Sequence, residues 1–323
     1  MTVDSFLKLE DPNKYDFTDE CVSKDYKEIS CPVVKYCVYK AVNTTGWNKG
    51  NPQRYTDGIV YPAGSAFSDW AVGHYGKIVD PDSNSPLLQE IYRLLWGEKY
   101  LAYSLLENKD GKKRIKADTM NSAQTTINKT MEEFRIRTDC APREKSSIKR
   151  LIHFYAQDGD RLSIELKNIS GLSAFLSAYH TLGNFIPTPF NAERTARTKD
   201  YWDLTLRRIY KWYCAESEEE KNDELHNLLL DKEHVVEKSK QWLLAFGNWD
   251  NFVETNYLQD FVNINDNKTY GAPKELWAGH FSKTLLPSSA KDIEQYYTNA
   301  SSWIRARGNC MVAALRKNWG NRA

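Results

Sequence analysis

The chain has 323 residues, with 44 lysines and arginines against 43 aspartates and glutamates, so it lacks the excess positive charge that would attract nucleic acid from a distance. Aromatic residues make up 13% of the chain, including 19 tyrosines and 10 tryptophans, which excludes a disordered protein. This composition predicts a fold built on large rings whose polar atoms need hydrogen-bond partners.

The six cysteines are scattered without a C-x-x-C pair, which is typical of reduced thiols and argues against a structural zinc. The first stretch, MTVDSFLKLEDPNKYDF, is acidic and lacks the apolar segment of a signal peptide. No apolar run approaches the length that spans a bilayer. We therefore expect a cytoplasmic protein with no membrane partner and no metal site. The sequence indicates no particular cofactor and no oligomeric state.

The first eighty residues show little periodicity. Within them, Val33–Val42 has the β-branched and aromatic content of a strand, and the Gly- and Asn-rich residues that follow predict a loop. We treat residues 1–80 as an irregular, β-containing N-terminal segment. Residues 81–323 are then a mainly helical domain, either separate from that segment or continuous with it.

Two helices are predicted in the next part of the chain. The first has Ser85 as its N-cap, Pro86 in its first turn and Gly97 at its end. The second is predicted over Asp118–Phe134, with Asp118 at the cap, because its apolar residues recur on one face.

The remaining elements set the fold class. Arg161–Ile169 alternates apolar and polar residues after a turn, which predicts an antiparallel strand. Ser170 is then expected to cap a helix that carries His180 in its last turn. From Lys199 onward the periodicity is helical, and residues 290–319 predict one long helix or two. The sequence therefore predicts an α+β fold that is predominantly α-helical with a small antiparallel sheet.

The stretch HTLGNFIPTPFN, His180 to Asn191, has two interpretations. In the first, a helix ends at Gly183 and the two prolines stiffen the loop that follows, which accounts for nearly every residue in it. In the second, the stretch is a catalytic loop. The dipole at a helix C-terminus favours the imidazolium form of His180.

The catalytic interpretation draws on the residues around this loop. Three basic residues near a helix start, Arg194, Arg197 and Lys199, suit a phosphate group. An extruded base needs an aromatic face on which to stack and amides that read its edge. The candidates for these roles are Asn184, Phe185, Asn191 and Trp202.

Asp200 and Asp203 lie three residues apart, on one predicted helical face, and either carboxylate could activate a water molecule together with His180. The alternative is that both acids only complement the helix N-terminus. If Asp203 has the catalytic role, Asp203→Asn is expected to lower activity and leave the melting temperature nearly unchanged.

Several segments together resemble an uncharacterised bacterial family, a domain of unknown function. They are DPDSNSPLLQEIYRLLWGEK, ADTMNS, GNFIPTPFNAER, KDYWDLTLRRIYKWY and NYLQDFV, and the resemblance runs from about Asp80 to about Arg307. In this chain Thr195 replaces the Gly that commonly follows Arg194 in the family. The family brings no agreed activity.

A shorter resemblance concerns His180 to Asn191, which is similar to the latter half of the motif of modification-dependent HNH nucleases. There a histidine and an asparagine flank the metal site that cuts DNA. The first half of that motif, a histidine in an H-[IV]-x-P hairpin, is missing here, because no proline follows His153. We therefore do not assign an HNH nuclease.

These observations leave two hypotheses. The first is an enzyme acting on DNA, by base excision or strand cleavage, with a role in bacterial defence against foreign DNA suggested by analogy alone. The second is a binding or regulatory module without catalysis, which explains why no established catalytic motif occurs. A concave pocket that joins the candidate residues would favour the enzyme.

Overall fold

A computed structural model of the protein confirms a predominantly helical α+β fold. The structure describes residues 1–21, 24–43, 80–107, 111, 113–136, 151, 160–162, 164–190, 200–229, 233–282 and 285–320. The helices defined among them are α1 (Val3–Leu7), α2 (Lys24–Lys27), α3 (Pro32–Asn43), α4 (Pro81–Asn84), α5 (Pro86–Leu101), α6 (Thr126–Glu133), α7 (Leu172–Ala178), α8 (Trp202–Cys214), α9 (Glu218–Leu229), α10 (Glu233–Phe246), α11 (Trp249–Thr255) and α12 (Ala290–Gly320).

The strands of the described residues form three antiparallel pairs rather than one sheet. These pairs are β1 (Leu105–Glu107) with β2 (Lys113–Ile115), β3 (Ala117–Thr119) with β4 (Phe185–Pro187), and β5 (Val262–Ile264) with β6 (Tyr270–Pro273). Single 3₁₀ turns cover Pro12–Lys14, Phe17–Glu20, Ala102–Ser104, Leu182–Asn184 and Gln259–Phe261. Within the described ranges, no helix is both long and apolar enough to cross a membrane.

Helix α5 begins as its sequence predicts. The Ser85 hydroxyl accepts a hydrogen bond from the Leu88 amide at 3.1 Å, and Pro86 occupies the first turn. At Gly97 the backbone adopts φ 69°, which interrupts the helical conformation at the predicted position. The final helix is also confirmed, since α12 runs unbroken through 31 residues.

Two predicted strands are wrong. Val33–Val42 lies within α3, and residues 161–162 and 164–167 are helical. The β-branched Val33 and Val34 are both buried, and α3 packs against α7. Valine favours strands because it packs well on a half-buried pleated surface. Here two successive valines are buried in a helix, and this burial outweighs the strand preference.

Two helix starts were also placed wrongly. Asp118 lies in β3, opposite Ile186 of β4, and the helix predicted from Asp118 begins only at Thr126. The N-cap of α7 is Gly171, not Ser170, with φ 76°. A side chain at Gly171 would meet the Thr298 amide of α12 at 2.7 Å, so close helix packing decides this start.

Helix α12 holds the loop after α7 in place. Arg307 of α12 is fully buried and donates hydrogen bonds of 2.8 Å to the carbonyl oxygens of Gly183, Phe185 and Asn256. Burial lowers the pKa of Arg307 to about 9, so the guanidinium remains charged at neutral pH. The buried guanidinium of Arg307 therefore holds the backbone of the loop that contains the predicted site.

Candidate functional site

Three separate parts of the sequence meet at α4, β3 and β4. Helix α4 begins at the N-cap Asp80 and contacts β3, which pairs with β4. The Ser83 hydroxyl fixes this arrangement, because it donates to the Ala117 carbonyl at 3.2 Å and accepts from the Ala117 amide at 3.1 Å. The DPDS, ADT and FIP segments are thereby brought together.

Asp80 and Asp82 form a carboxyl pair at this junction. Asp80 Oδ1 accepts a hydrogen bond from the Asp82 amide at 3.4 Å, and Asp82 is only 8% exposed. Burial, followed by the negative charges of Asp80 and Asp118, raises the pKa of Asp82 well above its ordinary value. Asp82 is therefore the acid of this junction that retains its proton to higher pH than an ordinary aspartate.

Tyr39 of α3 lies near Asp80, and Lys40 follows it in the chain. Burial, followed by the negative charge of Asp80, raises the pKa of Tyr39 well above its ordinary value, so this hydroxyl stays protonated. The Lys40 ammonium lies over three tyrosine rings, 5.6 Å from the centroid of Tyr36, 5.7 Å from Tyr39 and 5.1 Å from Tyr179. A hydroxyl donor and a buried cation therefore accompany the acids.

His180 lies next to this group. Its ring centroid is 4.2 Å from that of Tyr39, and its Nδ1 is hydrogen bonded to the Thr18 hydroxyl at 2.7 Å. Burial lowers the pKa of His180 to about 4, so the expectation of an imidazolium is wrong. Helix α7 ends two residues earlier, at Ala178, and the burial of the ring outweighs any effect of the helix dipole.

The two aspartates proposed from the sequence have partners within the fold. Asp200 precedes α8 and its Oδ2 accepts from the amides of Thr125 and Thr126, each at 2.7 Å, and from the Thr126 hydroxyl at 2.9 Å. Its carboxylate therefore serves the start of α6 and not that of α8. Asp200 and Asp203 do not share a helical face, because α8 begins only at Trp202.

Asp203 makes a buried pair with a histidine. Its Oδ2 lies 2.7 Å from His280 Nδ1 and accepts from the Leu276 amide at 3.0 Å. Its Oδ1 accepts from the Leu204 amide at 2.9 Å. Both side chains of the pair are almost completely buried, and the imidazole stacks on Trp277 with 3.5 Å between ring centroids. Asp203 thus ties α8 to the loop that precedes α12.

The residues expected to bind a base are also part of the core. Asn184, Phe185 and Trp202 are fully buried. The Asn184 side chain accepts from the Asn121 amide at 3.0 Å and donates to two carbonyl groups, so its hydrogen-bonding capacity is used within the fold. Neither ring offers a face on which a base could stack. The other four predicted ligands, Asn191, Arg194, Arg197 and Lys199, lie outside the described residues.

Sequence reasoning missed the carboxyl pair. Asp80 and Asp82 lie in a DPDS segment that reads as a turn before a capped helix, and Asp118 was interpreted as a helix cap. The available signal was the i, i+2 spacing of two acids next to a proline. Among the described residues, no group of three or more histidine, cysteine or acidic side chains is placed to hold a metal ion.

Comparison with known proteins gives a match to one protein family. A model for a Family of unknown function (DUF6994) matches residues 68–311, somewhat more than the extent of the resemblance seen in the sequence. No curated protein and no solved structure matches the chain.

Proposed function

This chain belongs to DUF6994, which assigns it no activity, and we propose that it is a hydrolase that cleaves the N-glycosidic bond of a nucleotide in DNA. The observation that carries the proposal is the placement of two neighbouring acids, Asp80 and the buried Asp82, at the junction of α4 and β3. Two neighbouring carboxyl groups, of which one retains its proton to higher pH, can provide a general acid and a general base in one site.

Hydrolysis of an N-glycosidic bond needs both functions. Asp82 donates its proton to the departing base as the bond between that base and C1′ of the sugar breaks. Asp80 takes a proton from a water molecule whose oxygen bonds to C1′. The pair ends with one proton, now on Asp80, and transfer of that proton back to Asp82 restores the starting state.

The neighbours of the pair support this division of roles. Tyr39 is held protonated by its burial and by the negative charge of Asp80, so its hydroxyl is available as a donor beside the acids. Asp118 adds negative charge beside Asp82 and favours retention of its proton. Negative charge near the sugar also stabilises the positive charge that develops on the ring in the transition state.

DNA as the substrate rests on a separate argument. The resemblance of His180 to Asn191 to part of a nuclease motif supports a nucleic acid, and His180 lies beside Tyr39 in the same region. A role in defence against foreign DNA follows only by analogy.

The test is incubation of the full chain with plain and modified DNA, single- and double-stranded, with and without Mg²⁺. Released bases are measured by mass spectrometry, abasic sites by alkali treatment and direct nicks by gel. Base release that Asp80→Asn and Asp82→Asn each abolish supports the proposal, with the exposed Asp223→Asn as the matched control. Nicks without base release would indicate strand cleavage instead. No reaction on any DNA would favour the binding or regulatory module.

A further inference from the structure

One segment of the chain, residues 113–119, leads through β2 and β3 to the carboxyl pair. Exposure alternates along it from Arg114 onward, as it does in an extended chain whose side chains point to opposite sides in turn. The buried residues are Ile115, Ala117 and Thr119, and the half-exposed ones are Arg114, Lys116 and Asp118. The outer side of the segment therefore carries two cations in a row, followed by the acid whose charge acts on Asp82.

Arg114 is held against the helix that carries the carboxyl pair. Its Nη1 donates to Asn84 Oδ1 of α4, and Asn84 Nδ2 donates to the Asp80 carbonyl at 2.8 Å. The amide oxygen of Asn84 is neutral, and no carboxylate of the described residues forms an ion pair with this guanidinium. An arginine stays charged and has five N–H donors, so Arg114 keeps both its charge and its Nη2 donors for another acceptor.

Lys116 is the second cation of the row. Two residues of extended chain span about 6.5–7 Å, which sets the separation of its backbone from that of Arg114. The Lys116 amide donates to the Ser104 carbonyl at 2.6 Å, and its carbonyl accepts from the Thr188 amide at 3.3 Å. Its Nζ donates to the Pro189 carbonyl at 3.0 Å, which directs the ammonium group toward the residues that follow β4. Both the backbone and the side chain of this cation are thus positioned by the fold.

We propose that Arg114 and Lys116 bind the phosphodiester backbone of a DNA strand and thereby place one of its sugars at the carboxyl pair. Arginine and lysine are the side chains that most often contact phosphates, and such contacts fix the position of a strand without reading its bases. A local row of cations can do this in a chain whose total charge is balanced. The inference rests on the proposed function for the identity of the ligand, but binding itself requires no chemistry.

The experiment uses the full chain carrying Asp82→Asn, so that no base is released. Labelled single- and double-stranded oligonucleotides are titrated by fluorescence anisotropy at several chloride concentrations. Arg114→Gln is expected to weaken binding about tenfold and to reduce the slope of log affinity against log salt by about 0.7–0.9, the value for one lost phosphate contact. Arg114→Lys keeps the charge, so the slope should remain while the affinity falls less.

Lys113→Gln is the matched control. Lys113 is exposed and adjacent to Arg114, but in the alternation of this segment it lies on the opposite side. Its loss removes the same unit of charge and is expected to leave affinity and slope nearly unchanged. If Arg114→Gln lowers the melting temperature, Arg114→Lys and Lys116→Gln replace it, and Lys116→Gln is then expected to reduce the slope.

The outcomes separate this inference from the proposed function. Weaker binding and a reduced slope for Arg114→Gln, with little effect of Lys113→Gln, support the inference even if the wild type releases no base from DNA. No binding of either oligonucleotide at low salt overturns it, and so do equal effects of the two variants. Displacement of the oligonucleotide by millimolar inorganic phosphate at constant ionic strength would indicate a site for free phosphate and also overturns it. In those cases base release from DNA would stand and would require another surface for the strand.

Discussion

Two pairs of closely spaced aspartates, Asp80 with Asp82 and Asp200 with Asp203, are held in opposite ways. The oxygens of Asp200 and Asp203 accept hydrogen bonds from backbone amides and, for Asp203, from an imidazole. The carboxyl of Asp82 faces that of Asp80, with the charge of Asp118 nearby. Asp80 also accepts from a backbone amide, that of Asp82, but only in this pair does a buried acid lie beside two other acids whose charges raise its pKa.

The difference shows which of these acids stabilise the fold. Amide donors satisfy a buried carboxylate and link the elements that provide them, so such an acid contributes to stability. Acids that face each other oppose folding at neutral pH, because one of them must be kept protonated. An arrangement of this kind in a globular protein points to function more often than to structure.

The largest effect is expected for Asp82→Asn. The amide is isosteric and can still donate to Asp80, but it has no proton to give to a leaving group, so base release is expected to fall by a factor on the order of 10²–10⁴. The folded-state pKa of Asp82 is raised, so the acid costs stability as the pH rises above its ordinary pKa. The melting temperature of the variant at pH 7 should therefore equal or exceed that of the wild type. A clear decrease in melting temperature would place Asp82 among the structural acids.

Asp203→Asn is expected to do the reverse of Asp82→Asn. The amide cannot accept from both Leu276 and His280 as the carboxylate does, and removal of one partner of a buried pair typically costs about 3–5 kcal/mol. The expected result is a decrease of that order in the free energy of unfolding, measured in urea. This replaces the expectation from sequence that stability would be retained. Retained stability with loss of activity would return Asp203 to the list of catalytic candidates.

His180 is expected to make the protein sensitive to acid. Its pKa is about 4 in the folded state and near 6.5 in the unfolded chain, so between these values only the unfolded state takes up the proton. Stability is unaffected above pH 6.5 and falls as the pH drops from 6.5 to 4, by about 3 kcal/mol in total. His180→Gln cannot titrate, so urea denaturation at several pH values should show a shallower decline than in the wild type. Parallel declines would show that the histidine is not held neutral.

The sequence predicted those elements whose signals are local. The cap Ser85, the proline after it and the break at Gly97 define α5 without help from the rest of the chain. The start of α7 could not be predicted, because the contact of Gly171 with Thr298 depends on packing against α12. The helical conformation of α3 could not be predicted either, because its valines are buried where α3 packs against α7, more than a hundred residues away in the chain.

The candidate site was predicted only in part, for a related reason. His180 was identified by its motif, but its neutral state depends on burial beside Tyr39 and Thr18, which come from the N-terminal part of the chain. The raised pKa of Asp82 depends likewise on its burial, and then on the charges of Asp80 and Asp118. Spacing along the chain shows which acids are close in sequence. It does not show whether a backbone amide or another acid will face them.

The smallest effect is expected for Ser85→Ala, which should lower the stability of the protein slightly and leave its activity unchanged. Ser85 lies three residues after Asp82 and caps α5, and its hydroxyl also donates to Glu20 at 2.6 Å. Loss of the cap is expected to lower the free energy of unfolding by about 1 kcal/mol. Activity should remain, because Ser83 and not Ser85 fixes α4 to β3 and thereby places the carboxyl pair. The measurement combines urea denaturation with the assay of base release. If Ser85→Ala reduced base release as strongly as Asp82→Asn, any disturbance of this junction would suffice, and loss of activity in Asp82→Asn would no longer indicate a catalytic proton.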